Sequence, residues 1–420
     1  RGNPLNYTIV DTMMRVDLPK PLEPGDDTEL QIAWGYRLLD VDALWGRGGF
    51  EKLDDGLHLY QVAQWFPRMV AYTDYHGWQH KGFLGRGEFT LEFGDYRVEI
   101  TVPDTHVVSA TGELQNPGKV LKPAWRKRLK KARRSTTPVF IISEEEAEAR
   151  GKRSAQGTAT WVFEAENVRD FAWASCARFL WDAMGATAGD NTVLAMSFWP
   201  KEGEPIWSRY STQAIAQALD VYSHMVYPYP YPVAQSVNGP VGGGMEYPMI
   251  TFNAPRPEED QTYSKRQKYG LISVIIHEIG HTWFPMIINT DERQWTWIDE
   301  GFNSFVQFHA EQHWEEEYPS WRGKPQDIAD YMKKTDDVPI MTASDSLRYF
   351  GQNAYSKTAI ALSILRETIL GPDLFDPAFR EYARRWAFKR PRPSDFFRTM
   401  EDASGVDLDW FWRGWFYSAD

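Results

Sequence analysis

The chain has 420 residues, a formal net charge of -12, and hydrophobic and charged fractions of 42% and 25%, which is the balance of a folded globular protein with room for two or three domains. The acidic surplus argues against a nucleic-acid binder on global electrostatics, and no apolar run approaches the length of a membrane span. The single cysteine, Cys176, cannot form an intrachain disulfide, and its apolar Phe-Ala-Trp-Ala-Ser-Cys-Ala setting reads as a buried structural thiol.

Residues 5–115 carry strand signals. Tyr7–Val10, Leu30–Trp34, Phe89–Phe93 and Tyr96–Val102 show alternation or β-branched content, and Gly and Pro punctuate them. Between 118 and 155 the pattern breaks. Lys122–Arg134 holds eight basic residues and Glu144–Glu148 four acids, which predicts a solvated, partly self-neutralising helical insertion. Strand character returns at Thr158–Phe163 and Thr192–Phe198.

From about residue 200 the chain turns helical. Ser211–Met225 has a capping serine and apolar residues at helical spacing, and the Pro-rich run Tyr227–Pro232 ends it. Val233–Asn253 reads as two short strands split by Gly239–Gly244. Further helices are expected at Phe302–Trp314, Asn353–Leu370, Pro377–Phe388 and Ser394–Ala403, before an aromatic tail at Trp410–Tyr417. The expected division is 1–199, β-rich, and 200–420, mostly helical.

The chemistry concentrates in residues 271–304. His277 and His281 are four apart, so a helix projects both imidazoles from one face, and Glu278 between them completes an H-E-x-x-H pattern. An apolar run, Leu271 to Ile276, holds that helix in a core. Eighteen residues separate His281 from Glu300. Two imidazoles and one carboxylate, with a fourth position left to water, are the donor set of a catalytic zinc site. His309 and His313 share the four-residue spacing but lack the internal acid and third ligand, so they read as a solvated helix face. His58, His76, His80, His106 and His224 show no metal spacing.

These motifs resemble the aminopeptidase N family of zinc metallopeptidases, the glutamate-ligand branch of H-E-x-x-H enzymes. Gly243-Gly244-Met245-Glu246-Tyr247 is similar to that family's Gly-x-Met-Glu-Asn strand, with Tyr247 in place of Asn. Tyr355-Ser356-Lys357-Thr358-Ala359 is similar to its Tyr-x-Lys-Gly-Ala helix start, with Thr358 in place of Gly; Asn303 stands where a small residue is usual. The resemblance covers roughly residues 200–370. It implies an α+β multidomain protein, with a β-rich N-terminal domain, incomplete at its start, and a thermolysin-like catalytic domain of a small sheet plus helices. The helical superhelix of many members is not expected here.

The resemblance also implies roles. One Zn2+ is held by His277, His281 and Glu300, Glu278 is the general base, and Tyr355 donates to the oxyanion. Glu246 holds the α-ammonium of a peptide while Gly243, Gly244 and Met245 line its backbone. Asp299 is a candidate acceptor behind a ligand histidine. The expected activity is release of N-terminal residues from peptides. The rivals are an endopeptidase or other exopeptidase on the same site, and a non-catalytic module that keeps the fold. The acidic, Trp-rich, single-Cys composition is more in keeping with an extracytoplasmic than a cytoplasmic protein.

Overall fold

The computed structural model describes residues 3–43 and 46–419. Its N-terminal part opens with an antiparallel hairpin, Tyr7–Val10 against Met13–Val16, whose residues are largely solvent-exposed. Leu30–Trp34, expected as a strand, pairs with no other segment among the described residues and is coil. Alternation alone does not make a strand, because the backbone groups need a partner. The segment is instead pinned by the Trp34 indole N–H donating to the Trp65 carbonyl at 2.7 Å. Phe89–Phe93 likewise contributes only a single bridge, Leu91 with Val70.

Two small antiparallel sheets follow. One takes the order Gly49–Lys52, His58–Val62, Trp173–Cys176, Val107–Ala110, and the other Gly94–Pro103, Thr158–Val168, Glu113–Leu114. Along Gly94–Pro103 the residues Tyr96, Val98, Ile100 and Val102 point to the core while Arg97, Glu99 and Thr101 face water, as the two-residue period requires. Cys176 is fully buried, and burial pushes its thiol up to about 12.

The charged insertion is only partly solvated. It folds as helices Pro117–Val120, Pro123–Ala132 and Glu144–Gly151 around a strand, Val139–Ile142. Trp125 and Ala132 are buried on the middle helix, while the third helix buries Arg150, whose guanidinium donates to the carbonyls of Ala177 and Phe179. A capping box, Ser143 with Glu146, starts that third helix.

The strand from the insertion joins a six-stranded sheet, in the order Val139–Ile142, Leu180–Ala188, Asn191–Trp199, Val233–Asn238, Ile250–Asn253, Gly244–Tyr247. Strands on both sides of residue 200 therefore share one set of backbone hydrogen bonds. Val233–Asn253 supplies three strands rather than two. The second turn falls at Pro248-Met249, where Met249 adopts a positive φ of 62°. Gly244–Tyr247 is the outer strand, antiparallel to Ile250–Asn253, so its other edge is free to pair with an extended ligand.

Helices Thr212–Met225, Lys265–Gly280 and Phe302–Trp314 pack on one another over this sheet. The second is the motif helix. A capping box, Ser264 with Gln267, begins it, contributing about 1 kcal/mol. Leu271, Ile272, Ile275, Ile276 and Ile279 are its buried side, each about 1.5–3 kcal/mol of apolar burial. Gly280 ends it where a Cβ would overlap the Asn303 amide and the Tyr222 hydroxyl. Beyond lie Gly351–Leu370, Pro372–Trp386, Pro393–Ser404 and Asp409–Trp415, near the expected bounds. Their aromatic faces meet around Phe302, Phe379, Phe396 and Trp412. Among the described residues no helix is long and apolar enough to cross a membrane.

Candidate metal centre

The motif helix presents His277 and His281 one turn apart, and the chain returns at Trp297–Gly301 to bring Glu300 against them. His277 Nε2 lies 3.1 Å from His281 Nε2, and Glu300 Oε2 lies 3.1 Å from the first and 3.3 Å from the second. Three lone-pair atoms packed this closely repel one another unless a cation sits between them. With metal–ligand bonds of about 2.0–2.1 Å, a tetrahedral ion places its ligand atoms about 3.3–3.4 Å apart, so the donor set fits zinc in size and type.

The ring nitrogens facing away from the site are held. His277 Nδ1 is 2.8 Å from Gln307 Oε1, and His281 Nδ1 is 2.8 Å from the Phe284 carbonyl and 3.0 Å from Asp299 Oδ1. Each partner accepts a hydrogen bond, so each imidazole carries its proton on Nδ1 and turns the Nε2 lone pair inward. Gln307 was not anticipated. Its signal was present, since it lies seven residues beyond Glu300 and four beyond Asn303, on one helical face.

Glu278 is buried beside the outer strand, so close that a Cβ on Gly244 would lie 2.6 Å from its Cγ and Cδ. Only glycine lets the strand approach the acid so tightly. Burial raises the Glu278 pKa well above the usual carboxylate range; Glu246 and Glu300 add to this, and His281 opposes it. Glu246, Glu278 and His281 bring their donor atoms within 4.8 Å of one another, so the acid of the strand and the acid of the helix share one space. Burial also raises Glu246, with His281 and Arg47 pulling it down and Glu88 and Glu300 pushing it up.

Tyr355 stacks on His277, with ring centroids 6.0 Å apart, and its hydroxyl hydrogen-bonds the Glu300 carboxylate. The Arg322 guanidinium lies over the Tyr355 ring, 4.3 Å from its centroid. Burial, reinforced by Glu300, keeps the phenol protonated far above its ordinary range. Met245 is buried in the outer strand; Gly243 has a φ of +95° and its carbonyl accepts from the Ala254 N–H. Tyr247 is buried and turned toward the N-terminal part, where Gln64 reaches its hydroxyl at 3.4 Å.

That N-terminal part adds residues that sequence reasoning missed. Arg47 and Glu88 form a bidentate pair beside Glu246 and Tyr247. Arg169 forms a buried ion pair with Glu292, and the Glu292 carboxylate lies within 4.8 Å of Glu246 and Asp299. These partners are 41 and 123 residues apart in sequence and carry no local motif. His309 is also a correction. It does not form a solvated face but packs on Phe305 and Phe308, centroids 5.0 and 5.7 Å away, and burial lowers its pKa to about 4.

Residues 210–415 match the peptidase family M1 domain. Glutamyl aminopeptidase of Sus scrofa is 28% identical over 181 residues, covering 40% of this chain and 19% of that protein. Aminopeptidase M1 of Arabidopsis thaliana is 22% identical over 228 residues, 51% of this chain and 26% of its own. The chain thus aligns with about a fifth to a quarter of the length of these curated relatives. Among solved structures, an M1 zinc metallopeptidase from Deinococcus radiodurans superposes with a TM-score of 0.62 and 17% identity, over 99% of this chain and 81% of that one. A mutant of that enzyme, solved with a Tyr-Ser-Ala substrate, superposes equally well at 16% identity. The likeness to these structures shows the two-domain fold, and the match over residues 210–415 shows that the chain carries a peptidase family M1 domain.

Proposed function

We propose that this protein is a zinc-dependent aminopeptidase that releases residues from the amino ends of peptides. The observation that carries the reading is the triangle of His277 Nε2, His281 Nε2 and Glu300 Oε2, with Glu278 and Glu246 converging on the same space. Bound by those three residues, zinc supplies Lewis-acid polarisation of the scissile carbonyl and makes water a competent nucleophile near neutral pH.

The remaining steps belong to the chain itself. Glu278 takes the proton from the attacking water and delivers it to the leaving amine; its buried setting, which disfavours the carboxylate, strengthens it as a base. Tyr355 keeps its proton and donates a hydrogen bond to the oxyanion that develops on the substrate. Glu246 holds the α-ammonium by a charge-assisted bond. The free edge of Gly244–Tyr247 pairs with the substrate backbone, and the absence of a side chain at Gly244 keeps that approach open. Asp299 and Gln307 orient His281 and His277.

The expectation is tested by comparing one peptide with a free amino terminus and its N-acetylated form. Cleavage confined to the free-amine form, at its first bond, supports the reading. Equal rates on both would place the activity with an endopeptidase.

A further inference from the structure

Away from the catalytic residues, the charged insertion roofs a cavity of ≈ 290 Å³. Its walls come from two sheets: Trp161 and Phe163 from one, Trp181, Leu194, Met196 and Phe198 from the other. The alternation of the six-stranded sheet fixes which face this is. Leu194, Met196 and Phe198 point into the cavity, while Ser197, between them, hydrogen-bonds Ser211 and Thr212 at the start of the helix on the opposite face. The cavity therefore backs the sheet whose other face carries the catalytic helices, and none of the residues assigned to the metal centre lines it.

The roof is helix Pro123–Ala132, which presents Leu129 inward and sets Arg126, Lys130 and the adjoining Arg133 around the mouth. Arg133 is paired with Glu113 at 3.2 Å. Arg128, on the same helix but outside the cavity, is paired with Glu146. Arg126 and Lys130 are exposed and form no ion pair among the described residues. A chain of net charge -12 thus gathers two uncompensated cations at the opening of an aromatic and aliphatic pocket. The volume is near the low end of small-molecule sites, about 300 Å³. Packed interiors rarely leave apolar space of this size unfilled.

We propose that this pocket binds a free medium-chain fatty carboxylate, its chain against Trp161, Trp181 and Phe198 and its carboxylate at Arg126 and Lys130. The apolar walls exclude a wholly polar anion, since such a ligand would lose its hydration without replacement contacts. The two cations exclude a cationic amphiphile and favour an anionic one.

The test is calorimetric titration of the full chain with monomeric decanoate, decanol and decyltrimethylammonium, on the native protein and on an Arg126→Glu/Lys130→Glu variant. Both substituted side chains are exposed, so the fold is expected to persist, which unchanged peptide hydrolysis and circular dichroism would verify. Expected is saturable 1:1 binding of decanoate, about tenfold tighter than decanol and lost by at least that factor in the variant. Absent saturable binding, equal affinity for the three amphiphiles, or binding only to anionic phospholipid vesicles would each overturn the proposal. A Leu114→Trp substitution, which narrows the half-buried mouth, is a second check: decanoate affinity should fall while hydrolysis continues.

Discussion

Gln307 Oε1 sits 2.8 Å from His277 Nδ1, and the other end of the same amide is fully engaged, with Nε2 donating to Ser273 Oγ at 2.9 Å and to Glu311 Oε1 at 2.8 Å. That arrangement allows one orientation of the amide, and hence one tautomer of His277, with Nε2 free of hydrogen. Gln307→Leu removes the acceptor without adding charge. Zinc affinity is expected to fall about 10–100-fold, read by competition with a chelator. Unchanged affinity would mean that the ring is oriented by other contacts.

Glu278→Gln keeps the shape of the side chain and removes its basicity. The variant should retain zinc while kcat drops about 10²–10⁴-fold. Near-native turnover would show that the base is elsewhere.

Gly280 lies where the motif helix crosses the Tyr222–Asn303 hydrogen bond, a contact of 2.6 Å between buried groups. A Cβ there overlaps both partners, and neither is the free end of a flexible chain. Gly280→Ala should therefore lower stability by about 1–3 kcal/mol, measured from denaturant midpoints. A neutral substitution would indicate that the two helices have room to separate.

Asp182 is fully buried in the six-stranded sheet, accepts from Thr212, and is pushed by burial from 3.8 up to about 8. Between those values the native state holds a proton that the unfolded chain has released. Its contribution to stability is therefore complete below pH 3.8, falls as pH rises through the window, and levels off above about 8. Asp182→Asn should flatten the profile over that range, by as much as about 1.4 kcal/mol per pH unit where the slope is steepest. Urea midpoints at pH 5 and pH 8 for both proteins provide the check; parallel profiles would contradict it.

What could be read from the sequence followed the range over which each signal acts. The donors His277, His281 and Glu300 lie within 24 residues and obey helix spacing, so local chemistry exposed them. Glu246 was marked by the glycines that let its strand approach. By contrast, Arg47, Glu88 and Arg169 reach the same space from loops of the N-terminal part, and ordinary charged residues on loops look alike before folding. Leu30–Trp34 failed as a strand because pairing is a property of two segments. The extra strand in Val233–Asn253 was hidden by a turn at Pro248-Met249, whose positive φ falls on a residue that rarely adopts it.

The most direct measurement is zinc-edge X-ray absorption on the purified chain, with metal content determined in parallel. The account predicts one zinc per chain, its nearest shell made of two imidazole nitrogens and carboxylate oxygen at about 2.0–2.2 Å, and loss of that shell in a His281→Ala variant. A folded protein that takes up no stoichiometric zinc, or whose zinc shell survives the loss of His281, would contradict it.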